Sequence, residues 1–479
     1  MSASPSRSTP NFLVAASRKS SGKTTISLGL ARAYANRGLR IATFKKGPDY
    51  IDPLWLQLAS GNACYNLDFN TQNEAEIIST FANNSGQADL AIIETNKGLF
   101  DGVDPLGSDS NAQLAKVLQT PIILVLDTTG ITRGIAPLLH GYATFDPDIA
   151  ISAIILNNTG GTRHENKLRK AIETYNDIPV LGAIGRDDNL SIRERHLGLT
   201  TPGEKSSADQ LITQLAKTIE QNVNLDALLE IASSNLCNSD IRDDCASPGN
   251  VDRSSSATDI TIAVARDEAF GFYYPDDLEA LQKCGARLKF FSTLEDSHLP
   301  EADGLFIGGG FPETHMKQLE SNKILREQIK SAINNGLPTY GECGGLMYLS
   351  RSIRYLGETA QMIGVIPGDC QMHQRPQGRG FTKLQVTKDH PWPDLADSWN
   401  ESSAPAHEFH YASIDNLPKD SQFAYKVKRG HGMDGNHDGI VIGNMLANFC
   451  HLRNTRQNPW AAGFTSFVRS VKKAGGDSH

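Results

Sequence analysis

Thr339-Tyr340-Gly341-Glu342-Cys343-Gly344-Gly345 is the stretch that decides the fold. It continues a buried-strand pattern and sets one thiol between glycines. A strand runs in, a sharp turn raises the side chain, and a helix leaves with its first amides free. That is the sequence form of a nucleophile elbow on an α/β sheet. Toward the N-terminus, Ser21-Gly22-Lys23-Thr24-Thr25 reads as a nucleotide-phosphate loop. A thiol nucleophile and a nucleotide site on one chain imply coupled chemistry: one half releases a reactive species and the other uses ATP to capture it.

Around the phosphate loop, apolar strands alternate with amphipathic helices. Residues 11–16, 40–44, 90–94, 121–127 and 149–157 read as strands. Residues 24–37, 111–118 and 163–175 read as helices. This alternation predicts a parallel sheet covered on both faces. Three of the strands end on Glu94, Asp127 and Asn157, which should converge on a crevice at the carboxyl edge of the sheet. The pattern fades over 209–258: residues 225–232 admit a helix, and Ser, Asp and Asn dominate 233–257, so an exposed linker is expected there. It restarts at Ile260. Strands are expected at 260–265, 287–291, 304–307 and 337–340, with helices at 276–285 and 322–334. The expected organisation is therefore a nucleotide domain over 10–208, a linker over 209–258 and a second α/β domain over 259–470.

Composition narrows the function classes. The chain has 479 residues, with 54 Asp plus Glu against 46 Lys plus Arg and a net charge of −8, which gives no support to nucleic-acid binding. An anionic substrate must then be met by local cations. No apolar run is long enough to span a bilayer, and the N-terminus lacks an apolar signal core, so a cytoplasmic protein is expected. Seven scattered cysteines without a C-x-x-C pair point to reduced thiols, and no structural metal is expected.

The phosphate-loop pattern G-x-x-x-x-G-K-[ST] is met by Gly22, Lys23 and Thr24, with Ser17 at the first glycine position. Loop amides would cradle phosphates, Lys23 would reach the outer phosphates, and Thr24 would ligate Mg²⁺. Lys45-Lys46-Gly47-Pro48-Asp49-Tyr50-Ile51-Asp52-Pro53 follows a strand; by composition alone it is a turn with solvated charges. Glu94 reads equally as a metal ligand or a strand-end cap. In the second half, Gly308-Gly309-Gly310 follows a strand, and its amides with that of Gly344 suit an oxyanion hole for Cys343. The thiol needs a base. His451 lies late in the chain, in the order of triad-type amidotransferases, although by itself it reads as a structural histidine. His407-Glu408-Phe409-His410-Tyr411 lacks a third ligand at metal spacing.

Together SGKTT, FKKGPDYIDP, GLFDG, RHLGL (195–199), GGGFPE, YGECGGLMYL and HEFHY, in that order, resemble the cobyrinate a,c-diamide synthase family over about residues 12–469. The resemblance implies an N-terminal P-loop domain like dethiobiotin synthetase and a C-terminal class I-type glutamine amidotransferase domain. It implies a carbon–nitrogen ligase that amidates acetate side chains of a tetrapyrrole polycarboxylate, c and then a, through an acyl phosphate. ATP, Mg²⁺ and glutamine are the implied co-reactants. Cys343 is implied as nucleophile and His451 as its base. Ser21, Gly22, Lys23, Thr24 and Thr25 would bind ATP, and Asn157 would read adenine. Thr24, Asp49 and Glu94 would hold the metal. Lys45, Lys46, Asp52, Asp101, Arg193, Arg195 and Arg379 would meet the substrate.

Three departures stand out. Ser20 replaces a usual glycine, and Glu94-Thr95-Asn96-Lys97-Gly98 stands where small or apolar residues are usual. Leu452-Arg453 follows His451 where the family often has Leu and a second His and ordinary class I amidotransferases have Glu at the second position, leaving the partner of His451 open, a Cys–His dyad included. The loop NKGLFDGVDPLGSDSN resembles a subgroup that amidates sirohaem, so sirohaem competes with cobyrinate as substrate. A reading of another class is a partitioning-type ATPase switch, which would produce no glutamate. No membrane or nucleic-acid partner is expected, and a homodimer is left open.

Overall fold

The strand Asn11–Ala16 is buried at all six positions. Such a run is stable only at the centre of a sheet covered on both faces. The computed structural model describes residues 9–187, 190, 194–195, 198–199, 205–234, 258–392 and 403–476. In it this strand is the middle of a seven-stranded sheet, in the order Cys64–Leu67, Ile41–Lys46, Leu90–Glu94, Asn11–Ala16, Ile122–Asp127, Ile151–Thr159, Val180–Gly185. Every neighbouring pair is parallel. The register puts Lys45 beside Glu94 and Asp127 beside Asn157. The expected convergence of polar strand ends is thereby built into the pairing.

The chain divides into two compact units, Met1–Ala246 and Ser247–His479. The linker expected over 209–258 differs in its first part. Helix Lys205–Asn222 is not expected there, helix Leu225–Ser234 covers the helical segment read over 225–232, and both belong to the first unit. Their apolar faces decide this: Ile212, Leu215, Ala216, Ile219, Leu225 and Leu228 are buried, and burying such a stripe outweighs the weak local propensity. The strands Cys64–Leu67 and Val180–Gly185 go beyond the strands expected from the pattern. Their short segments carry too little periodicity to read.

The second unit is built on a nine-stranded mixed sheet and also holds a four-stranded one. Ala286–Phe291, Ile260–Ala265, Gly304–Ile307, Thr339–Glu342 and Met445–Asn448 are parallel. An antiparallel flank follows, His437–Ile442, Gln422–Arg429, Gly378–Val386 and Ala404–His410. The elbow thus leaves a central strand, and the next strand in the sheet leads to His451. Among the described residues, Cys64, Cys284, Cys343, Cys370 and Cys450 form no disulfide, and no helix is long and apolar enough to cross a membrane.

Candidate functional site

In the second unit, Thr339–Glu342 feeds directly into the helix Gly344–Leu349. Cys343 makes the turn at φ 48°, ψ −100°, a left-handed conformation that L-residues rarely hold. The glycines around it are required by contact. A Cβ on Gly345 would lie 2.0 Å from the Ile307 carbonyl oxygen, and one on Gly344 would lie 2.9 Å from the Gly310 nitrogen. The glycine turn 308–310 and the elbow are therefore pressed backbone to backbone. Gly309 and Gly310 pair with Phe272 and Phe270, and the Gly308 amide donates to the Tyr273 hydroxyl at 2.9 Å.

His451 follows the neighbouring strand, and the Cys343 amide donates to the Asn448 carbonyl at 2.7 Å. Burial alone would lower the His451 pKa. Charge and hydrogen bonding from Cys343 and from Glu342 outweigh burial and hold it up to about 10. This is the arrangement that stabilises a thiolate–imidazolium pair. The stability this histidine contributes is complete below about 6.5 and is lost as pH rises through about 10. Its Nδ1 lies 3.4 Å from Glu342 Oε2. The Glu342 contact is not legible in sequence, because the carboxylate comes from the elbow strand rather than from the residues after His451. His407 stacks on His451 with centroids 5.0 Å apart. Burial, then the charges on His451 and Arg453, keep His407 neutral well below its usual range. Glu408 accepts from the amides of His431 and Gly432 at 2.7 and 2.8 Å, so it organises a turn.

In the first unit, the helix Lys23–Asn36 starts from Gly22 at φ 89° with no side-chain cap. Its first amides are thus presented as an anion site would require. Ser20 sits at φ 60°, a backbone conformation that glycine adopts at less cost. Lys23 Nζ donates to the Lys97 carbonyl at 2.5 Å. Burial and then Lys45 lower its pKa to about 8. Thr24 Oγ1 donates to Glu94 Oε1 at 2.5 Å, and Lys45 Nζ donates to the same oxygen at 2.9 Å. Lys45 also pairs with Asp52 and lies 3.9 Å from Asp49. Burial opposes the charge on Lys45, yet Asp52, Glu94 and Asp49 together raise it above the usual lysine range. Burial, and next Asp52, push the Asp49 carboxyl up to about 7.

Glu94 Oε2 is buried without a hydrogen-bond partner among the described residues. With the Thr24 hydroxyl and Asp49 on hand, this set offers hard oxygen donors of the kind Mg²⁺ takes, and the residues fit that ion. Asn157, expected to read adenine, donates its amide to the Ser21 carbonyl at 3.0 Å. A Cβ on Gly22 would collide with that amide at 2.1 Å, so Asn157 braces the phosphate loop from beneath. Lys46 is buried and donates to the Asp109 carbonyl at 2.5 Å. Asp101 is exposed and accepts from the Gly98 amide at 2.9 Å. The structure therefore gathers Thr24, Lys45, Asp49, Asp52 and Glu94 into one cluster. Arg379 is exposed in the second unit with its guanidinium 5.5 Å above the Phe409 ring. Arg193 lies outside the described residues, and Arg195 is placed only by its backbone, in a short hairpin with Gly198–Leu199.

Comparison with known proteins agrees with both halves. Residues 12–199 match the CobQ/CobB/MinD/ParA nucleotide binding domain family, and residues 261–459 match the CobB/CobQ-like glutamine amidotransferase domain family. The cobyrinate a,c-diamide synthase of Magnetococcus marinus is 41% identical over 96% of this chain and 97% of its own. That of Methanosarcina barkeri is 38% identical over 97% of each chain. That of Archaeoglobus fulgidus is 37% identical over 92% of this chain and 94% of its own.

Proposed function

This chain belongs to the cobyrinate a,c-diamide synthase family of glutamine-dependent carbon–nitrogen ligases, and from that premise we propose that it amidates the a and c acetates of cobyrinate through an acyl phosphate. The observation that carries the reading is the Cys343 elbow, held in left-handed geometry beside a buried histidine whose pKa is raised to about 10.

Cys343 Sγ attacks the glutamine amide carbon. His451 takes the thiol proton and delivers it to the departing nitrogen, so ammonia leaves and a glutamyl thioester remains for water to cleave. The amides of Gly309, Gly310 and Gly344 are assigned to the oxyanion of that attack. In the first unit Ser21, Gly22, Lys23 and Thr25 bind the phosphates of ATP, with Asn157 supporting the loop. Thr24, Glu94 and Asp49 would hold Mg²⁺, which would neutralise phosphate charge. A substrate carboxylate oxygen attacks the terminal phosphorus and ADP departs. Ammonia then attacks the acyl carbon and phosphate leaves, giving the amide. ATP is needed because a carboxylate oxygen is itself a poor leaving group. Lys45, Lys46, Arg193 and Arg195 are assigned to the substrate's carboxylates, and Asp52 and Asp101 are assigned to the substrate as well.

The test is incubation with ATP, Mg²⁺, glutamine and cobyrinate, followed by mass spectrometry. Each carboxylate-to-amide conversion should lower the mass by about one dalton, with two conversions. A parallel arm with sirohaem reassigns the substrate if the mass falls there instead. Consumption of neither glutamine nor ATP with either acid would overturn the reading.

A further inference from the structure

The position two residues after His451 is Arg453, which is buried, 2.8 Å from Asp276 and over the Tyr274 ring at 5.0 Å. It cannot accept a proton or a hydrogen bond from the imidazole. The carboxylate beside His451 arrives by another route. Resting on the reading that Cys343 and His451 cleave glutamine, we infer that Glu342 is the positioning carboxylate of that histidine, so that nucleophile and orienter are consecutive residues of one elbow.

Sheet register makes this arrangement natural. Glu342 ends its strand in register with Asn448 of the neighbouring parallel strand, three residues before His451. Glu342 Oε2 lies 3.4 Å from His451 Nδ1, and both side chains are 4% exposed. The other oxygen, Oε1, accepts from the Leu452 amide at 3.0 Å and from the Tyr340 hydroxyl. The carboxylate is thus fixed on one side by backbone and phenol, and its other side faces the ring. An acceptor at Nδ1 selects the tautomer that keeps Nε2 for the Cys343 thiol, and it favours the imidazolium once the thiol proton has moved. The groups facing the ring are Cys343, Glu342 and the stacked His407, with Arg453 on the following segment. Glu342 is the one carboxylate among these.

The experiment is Glu342→Gln in the full chain, with fold verified by a cooperative thermal melt. Glutamine hydrolysis should fall in kcat by about 10²-fold with KM changed little, the size of effect expected for a lost acid–base positioning group. The pH profile of Cys343 alkylation by iodoacetamide should move upward by about one pH unit, since the thiolate loses part of its ion-pair support. Glu342→Asp, which keeps the charge but withdraws it by one methylene, should recover part of both losses, and it carries the same two readouts if the Gln variant does not melt cooperatively. Wild-type turnover, or lost turnover with an unmoved alkylation profile, overturns the inference. A Cys343→Ala variant that still releases glutamate would overturn the underlying reading instead, so the two failures are distinct.

Discussion

Cys343 carries backbone strain on the order of 1–3 kcal/mol at φ 48°, ψ −100°, and the close glycine contacts hold it there. Cys343→Ala keeps a Cβ at that turn and removes only the sulfur. Glutamate release should fall below detection while added ammonium still supports amidation, as product mass would show. A switch-type ATPase would release no glutamate before or after the change. Asp49 gives a pH prediction. Its folded pKa is raised to about 7, so the native state binds more protons than the unfolded chain between about pH 4 and 7. Stability from this group therefore declines as pH rises through that window. Asp49→Asn keeps the Oδ1 acceptor for the Ile51 and Asp52 amides and removes the charge. Without Mg²⁺ it should be more stable than wild type at pH 8 and nearly equal at pH 4. With the Asp49 side chain 32% exposed, screening limits the gain to about 1–2 kcal/mol, readable in urea melts. An equal difference at both pH values would remove the charge explanation. The elbow thiol and the phosphate loop are legible in sequence because turn chemistry is local. The Glu342–His451 contact and the Asn157 brace are not, since each joins residues more than a hundred positions apart through the fold of the sheet.

Helices are legible where an apolar stripe meets a clear stop. Lys23–Asn36 and Thr162–Tyr175 fall within a residue of the expected bounds, and Asn111–Leu118 matches them. The helix Lys205–Asn222 escapes such a reading because its polar positions resemble linker composition; its identity comes from packing on Lys23–Asn36. Gly29 marks that contact. A Cβ there would lie 2.5 Å from Ile219 Cγ1 and 3.0 Å from the Leu215 carbonyl oxygen. Gly29→Val should force the two helices apart and destabilise the first unit by about 1–3 kcal/mol, as overpacking does. Gly38→Ala, with nothing within 4 Å of its Cβ but φ at 86°, separates strain from packing. Combining Gly29→Val with Ile219→Ala should recover part of the stability that Gly29→Val removes, whereas Ile219→Ala added to Gly38→Ala should show no such coupling. If Ile219→Ala gives no recovery in urea melts, the helix contact is not what Gly29 protects.

The hydrophobic cores of the two units are built from different residues. One gathers Leu13, Phe44, Ile93, Leu124 and Ile154 around the parallel sheet. The other unit packs Ile307, Leu346 and Phe449 on one face of its sheet and Tyr340, Trp392 and Trp460 on the opposite one. Each unit exceeds the size at which a single core sustains a fold, and the elbow, His451, Glu342 and the 308–310 turn all belong to the second. Residues 247–479 expressed alone should therefore melt cooperatively and react at Cys343 with a glutamine-mimicking diazoketone, detected as one covalent addition by mass spectrometry. The same fragment carrying Cys343→Ala should show no addition. ATP binding should be absent from this fragment, because Gly22, Lys23 and Thr24 lie in the other unit. A fragment that folds but leaves Cys343 unreactive would show that thiol activation requires residues of the first unit, against the self-contained site described for the second.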